Sequence, residues 1–320
     1  MRAAQYIAPG QVELVDIPQP KPTSGQVLLR LDKLTICGSD LNALYNSPMS
    51  DFPFAPAMTG HECVGIVEES PHSDIQLGER MLIIPPKVNA LAEFVAVEPE
   101  WLIPLPEGLD PADGVLGQQL GTVIYACKRL DNMLDKTVAI IGQGPVGLFF
   151  TALLSQMGAK QIIGFDIVEH RLAVSRRMGA HYTINSLNHD PLETVQNITE
   201  GQLADVVIEA VGKSETINLS HTLARPQGEL MLFGTPKQPI FPFTYEAFFR
   251  KHLKTHASVY TQFEPGLRSF RLALDMIAQK RIDISHLISH HLPFKAVREG
   301  FHLAETKEDG AVKVLVDFSA

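Results

Sequence analysis

Apolar residues in the first third of the chain come in short runs of strand length, broken by proline and glycine. The segments 26–31, 63–68, 81–84 and 92–97 are rich in β-formers and read as strands. No long helical period interrupts them until the stretch from about 120 to 130. This pattern predicts an irregular β-barrel. From about Lys136 the pattern changes. The fully apolar run 137–141 predicts a strand, 146–157 a helix with Leu148, Leu153 and Leu154 available for packing, 161–166 a second strand, and 170–178 a helix ending at Gly179. Further strands are expected at 205–208 and 229–233. Strands alternating with helices imply a parallel sheet covered on both faces. A last strand at 312–316 stands far from both blocks, and there is no internal repeat or low-complexity segment.

At 320 residues the chain is long enough for two domains. Hydrophobic residues make up 45% and charged residues 20%, an ordinary globular balance that argues against disorder. The formal net charge of −9 disfavours nucleic acid and anionic membranes as partners. Apolar runs are too short to span a bilayer, and residues 1–6 lead into no apolar signal segment, so a cytoplasmic location is expected. Cys37, Cys63 and Cys127 form no disulfide framework and suit a reducing compartment.

The sequence Gly142-Gln143-Gly144-Pro145-Val146-Gly147 carries a G-x-G-x-x-G spacing, with an apolar strand before it and a helix after it. Gly142 permits a tight turn, Gly144 lets the backbone approach a pyrophosphate, and Gly147 lets helix and strand pack closely. Val146 begins the helix whose N-terminus faces the phosphates. Asp166, 19 residues beyond Gly147, ends the next strand. A carboxylate there accepts hydrogen bonds from an adenosine ribose and repels a 2′-phosphate, which favours NAD over NADP. Arg171, on the following helix, joins the cofactor-binding candidates. The alternative is a structural β-turn-α with a capping Asp.

A second constellation is Cys37-Gly38-Ser39-Asp40 with Gly60-His61-Glu62. It supplies thiolate, imidazole and carboxylate, the donor types zinc takes. Cys37 and His61 lie in polar, glycine-bearing loops, whereas Cys63 opens an apolar strand and Cys127 shares a helix with Val123 and Leu130, so both read as buried hydrophobes. Spacing alone leaves a metal site and ordinary buried polar residues both open. Tyr45, Phe52, Phe54 and Trp101 fit either an apolar cleft or core packing.

Taken together, these motifs resemble the medium-chain, zinc-type alcohol and polyol dehydrogenases. The likeness extends through Leu77-Gly78-Glu79-Arg80-Met81, similar to the family's G-D-R-V, Ala92-Glu93-Phe94-Val95, similar to its A-E-Y-V, and Leu120-Gly121-Thr122. It covers essentially the whole chain. The resemblance implies an α/β protein: a GroES-like β-barrel catalytic domain at 1–119, completed by 260–320, and a doubly wound Rossmann dinucleotide-binding domain at 120–259. It implies hydride transfer between NAD(H) and a secondary alcohol, polyol or sugar, or the matching carbonyl. One catalytic Zn2+ would sit at Cys37, His61 and Glu62, with Gln118, just before Leu120-Gly121, at the position of the further ligand. An amide oxygen there is a weaker donor than the usual carboxylate or thiolate. Ser39 would take the substrate proton. Asn42 replaces the histidine that relays the proton in many relatives, and 84–89 runs almost directly into the next strand, without the four-cysteine lobe of a structural zinc. The resemblance also implies a homodimer or homotetramer. The rival readings are a zinc-free quinone or enone reductase of the same fold, which usually prefers NADPH, and a non-catalytic NAD-binding redox sensor.

Overall fold

The computed structural model describes residues 1–84 and 89–319. Its chain divides into two compact units, Met1–Gly121 with Gln262–Ala320, and Thr122–Thr261.

The first unit opens with a hairpin, β1 (Arg2–Ala8) and β2 (Gln11–Asp16), followed by β3 (Val27–Thr35), helix α1 (Gly38–Asn46), β4 (Cys63–Glu69), β5 (Arg80–Ile83), β6 (Phe94–Val97) and β7 (Leu102–Pro104). The short helix α2 (Pro111–Gly114) starts on a proline and is capped by the Asp110 carboxylate, and α3 (Leu116–Cys127) follows. Strand β3 is the hub, buried along most of its length and paired with both β4 and β6. Its apolar residues Leu29, Leu31 and Leu34 pack with Cys63, Ile83, Phe301 and Val314 in one core.

The second unit contains β8 (Thr137–Ile141), α4 (Pro145–Gln156), β9 (Gln161–Asp166), α5 (Glu169–Arg177), β10 (Tyr182–Asn185), α6 (Pro191–Ile198), β11 (Ala204–Glu209), α7 (Ser214–Leu223), β12 (Ala224–Leu232), α8 (Tyr245–Arg250) and β13 (Lys254–Ala257). Its six strands form one parallel sheet in the order β10-β9-β8-β11-β12-β13. Every residue of β8 is buried, as expected of a central parallel strand covered on both faces. The chain leaves β8 toward β9 on one side and later returns to β11 on the other. The C-terminal ends of β8 and β11 therefore flank the point where ligands bind in such sheets.

The chain then returns to the first unit through α9 (Arg268–Ala278), β14 (Ile288–Pro293), α10 (Val297–Thr306) and β15 (Lys313–Asp317). Strand β15 joins β3 antiparallel, with Leu315 opposite Thr35 and Val316 opposite Leu34, and β14 runs parallel beside it. This explains the late strand that stood apart in the sequence.

Two features depart from the pattern read from sequence. Helix α1 interrupts the β-rich region, because its nine residues bury only Asp40 and Leu44 and so leave no helical period to detect. The hairpin β1–β2 was not expected either. Phe52 stacks on Phe54 at 4.8 Å between ring centroids and Phe54 meets Tyr6, so Phe54 is a core residue, while the half-buried Phe52, Tyr45 and Trp101 pack against that core. The expectation that no structural zinc forms rests on a segment that includes 85–88, which lies outside the described residues.

Candidate active site

Cys37, His61 and Glu62 come together. One ligand atom from each lies within 4.8 Å of the others, and among the described residues this is the group of His, Cys, Asp and Glu side chains able to hold one ion. Cys37 directly precedes α1, and His61 and Glu62 directly precede β4, so both loops end in rigid elements. The approach to His61 needs unusual backbone. Thr59 and Gly60 have φ of 73° and 75°. A Cβ on Gly60 would lie 2.9 Å from Leu34 Cδ1 and 3.1 Å from the Leu91 amide nitrogen. Thr59, a β-branched residue strained in that region, is tied down by a 2.6 Å hydrogen bond between its hydroxyl and that of Tyr6.

The buried Asp40 carboxylate connects the two loops. Its Oδ2 accepts from the Cys37 amide at 2.9 Å, and its Oδ1 accepts from the Gly60 amide at 3.1 Å and lies 3.5 Å from His61 Nδ1. Burial alone would raise the Asp40 pKa, but the His61 charge and these hydrogen bonds outweigh it and hold the carboxyl below its usual value. The converse holds at His61. Burial disfavours the imidazolium, yet the charges of Cys37 and Asp40 and hydrogen bonds to both raise its pKa well above the ordinary value. Without a metal the site therefore favours a proton on His61, which a metal ion must displace. The other two cysteines differ. Burial, with Asp40 and Glu62 nearby, keeps Cys63 a thiol, and burial pushes the Cys127 thiol up to about 12. Neither supplies a thiolate, in line with their reading as buried hydrophobes.

Glu62 is held from three sides. Its Oε2 accepts from Thr35 Oγ1 at 2.5 Å and from Lys313 Nζ on β15, and its Oε1 accepts from Gln119 Nε2 at 3.2 Å. Lys313 and Gln119 were not singled out from sequence. Lys313 reaches Glu62 only through the β15–β3 pairing, and Gln119 adjoins the expected ligand Gln118, which is half-buried on α3. Near Cys37, the buried Ser39 Oγ has no hydrogen-bond partner, an arrangement that suits a hydroxyl awaiting a substrate. Asn42 accepts from the Asn46 side chain at 3.2 Å. The donor set of soft sulfur, imidazole nitrogen and carboxylate oxygen, at this spacing, fits zinc.

In the second unit, Gly142 has φ 92°, and a Cβ there would lie 2.6 Å from Val211 Cγ2. A Cβ on Gly147 would lie 1.8 Å from the Gly142 carbonyl oxygen, so only glycine fits. Gly144 differs: its φ is −67°, and a Cβ would meet only Arg171 Nη1 at 3.5 Å. Packing within the protein does not require glycine there. Pro145 opens α4, and Val146, half-buried, follows it. Asp166 stabilises the same loop, with Oδ2 accepting from the Gln143 amide at 2.6 Å and Oδ1 from the Ile167 and Val168 amides at 2.7 and 3.0 Å. Oδ1 is thereby filled, and Oδ2 keeps one acceptor site.

The sequence reading missed Glu209, at the C-terminal end of β11 next to Ile141 of β8. It is fully buried. Its Oε1 accepts from the Val211 and Gly212 amides and from Thr216 Oγ1, and its Oε2 has no partner. Burial raises its pKa above the usual carboxylate value despite these bonds. A carboxyl group closing an apolar strand gave no motif to notice.

Residues 23–107 match the alcohol dehydrogenase GroES-like domain, and residues 145–279 match the zinc-binding dehydrogenase domain. The chain is 27% identical to an alcohol dehydrogenase of Cupriavidus necator, over 99% of this chain and 98% of that one. It is 25% identical to the sorbitol dehydrogenase of Gallus gallus, over 96% and 93%. The structure of an alcohol dehydrogenase from Thermus sp. ATN1 superposes with a TM-score of 0.84 at 26% identity, covering 99% of both chains. No helix among the described residues is long and apolar enough to cross a membrane. With a GroES-like domain, a six-stranded parallel dinucleotide-binding sheet and both domain matches in order along the chain, the protein belongs to the medium-chain, zinc-type alcohol and polyol dehydrogenases.

Proposed function

We propose that this enzyme interconverts a secondary alcohol, polyol or sugar with the matching carbonyl compound, using NAD(H) in preference to NADP(H) and one zinc ion held by Cys37, His61, Glu62 and Gln118. The observation that carries this reading is the convergence of thiol, imidazole and carboxylate within 4.8 Å. Support comes from the names of the relatives, an alcohol dehydrogenase and a sorbitol dehydrogenase. Zinc in this donor set supplies Lewis-acid polarisation of a substrate oxygen, and the nicotinamide cofactor supplies or accepts hydride.

The chain's own residues do the rest. Asp40 keeps Cys37 and His61 in register through the amides of Cys37 and Gly60. The Ser39 hydroxyl, buried and without a partner in the protein, accepts the proton of the alcohol as it passes its own on toward solvent, and runs both transfers in reverse for the carbonyl. The Gly142–Gly147 loop and the first amides of α4 receive the pyrophosphate, with Arg171 close to Gly144. Asp166 accepts a ribose hydroxyl at the acceptor site left on Oδ2 and repels a 2′-phosphate. Association of two or four copies goes with the family resemblance.

The test is zinc content of the purified protein followed by an NAD-coupled screen of alcohols, polyols and sugars. One zinc per chain and turnover in that panel are expected. Turnover of quinones or enones with NADPH and no metal would replace this reading with the zinc-free reductase. NAD binding without turnover on any substrate would point to the redox sensor. Equal affinity for NAD and NADP would remove the role given to Asp166.

A further inference from the structure

We infer that Lys313 positions Glu62 for the metal and limits how tightly the metal is held, standing in for the metal's positive charge when the site is empty. The inference rests on the metal reading above. Lys313 and Glu62 are buried, with side chains 2% and 1% exposed, and Lys313 Nζ contacts Glu62 Oε2 directly. Lys313 gets there because β15 pairs with β3, whose last residue Thr35 donates to the same oxygen.

The acceptor count of Glu62 decides which oxygen is left for a metal. A carboxylate offers about four lone-pair sites. Thr35 and Lys313 fill both sites on Oε2, while Gln119 takes one on Oε1. The remaining site is on Oε1, so Glu62 meets a metal through one oxygen while Lys313 and Thr35 keep the other fixed.

A divalent ion here would face the Cys37 thiolate and the Glu62 carboxylate, with the Asp40 carboxylate behind His61, and the buried Lys313 places one positive charge in contact with Glu62. Like charges repel strongly where water is excluded, so the lysine weakens metal binding. Without metal, the same lysine leaves no buried unpaired carboxylate, and the fold does not depend on the ion. A purely structural ion pair would behave differently, since its loss would lower stability equally with and without zinc.

The experiment compares the full-length enzyme, Lys313→Met and the double variant Lys313→Met/Glu62→Gln. Zinc affinity is measured by competition with a chromophoric chelator, and Tm with and without zinc. Lys313→Met should bind zinc about tenfold more tightly or better, through loss of the repulsion. Its metal-free Tm should fall, and zinc should raise its Tm by more than it raises that of the unmutated enzyme. The double variant should recover much of the metal-free Tm and bind zinc more weakly than the unmutated enzyme. If Lys313→Met folds only with zinc, it is purified zinc-loaded and its release of zinc to the chelator is timed, with slower release than the unmutated enzyme expected. Unchanged or weaker affinity, release as fast or faster, or a zinc-induced Tm shift no larger than in the unmutated enzyme overturns the role of Lys313 alone. Absence of zinc binding in the unmutated enzyme overturns the metal reading, and this inference with it.

Discussion

Asp40 Oδ1 lies 3.5 Å from His61 Nδ1 while the same carboxylate accepts hydrogen bonds from the amides of Gly60 and Cys37. One buried side chain at the start of α1 thus sets the distance between the two loops that carry the sulfur and the imidazole. It is not itself part of the donor cluster, yet it orients one donor and fixes the backbone of another.

Asp40→Asn keeps the shape of this link and removes its charge. Zinc affinity should fall by about 10- to 100-fold, the range found when a group supporting a metal ligand is altered. Chelator competition measures the change. The His61 pKa, followed by NMR, should fall from its raised value, because Asp40 is one of the charges that raise it. An unchanged zinc affinity would show that the cluster is ordered without Asp40.

Gly144 and Gly147 should separate binding from folding. A methyl group on Gly147 would strike the Gly142 carbonyl, so Gly147→Ala should destabilise by about 1–3 kcal/mol or more in urea unfolding. On Gly144 it would make only ordinary contact with Arg171, so Gly144→Ala should keep stability within roughly 0.5 kcal/mol. NAD affinity, by fluorescence titration, should nevertheless drop in Gly144→Ala. If it does not, the pyrophosphate does not approach this glycine.

Ser39→Ala removes a buried hydroxyl that makes no hydrogen bond within the protein, so stability should change little. Turnover should fall by about two to four orders of magnitude, the span typical of positioned acid–base groups, with zinc content and NAD affinity retained. A rate within twofold of the unmutated enzyme would mean that the proton leaves by another route.

Glu209 gives a pH dependence of stability. Its folded-state pKa is raised by burial, so the native state holds this proton to higher pH than the unfolded chain does. The group costs nothing below the unfolded carboxylate pKa, and stability is lost as pH rises through the window up to the raised folded value. Glu209→Gln keeps an acceptor oxygen for Val211, Gly212 and Thr216 and removes the titration. The variant should be more stable than the unmutated protein at pH 7, with the gain disappearing near pH 4, as measured by Tm across that range. A difference that does not vary with pH would show that Glu209 does not titrate in this window.

The amino-acid sequence by itself determined the elements whose signal is local. Thr137–Ile141 announces a buried parallel strand through uninterrupted apolar residues, and Gly142 and Gly147 of the fingerprint announce the tight turn and close helix packing after it, because those steric demands act between neighbouring residues. Cys37, His61 and Glu62 carried the donor types of a metal site in short motifs, but only the family resemblance joined them into a set, since spacing alone left ordinary buried polar residues open. Helix α1 was not legible, since it buries a single apolar side chain, and the β1–β2 hairpin was also missed. The tertiary structure alone decided what surrounds the donors. It brought Lys313 from the far end of the chain to Glu62, turned Asp40 between two loops, and assigned Phe54 to the core. Such pairings depend on strand order and register, here β15 against β3, which arise from the summed packing of the whole sheet and leave no periodic trace near either residue.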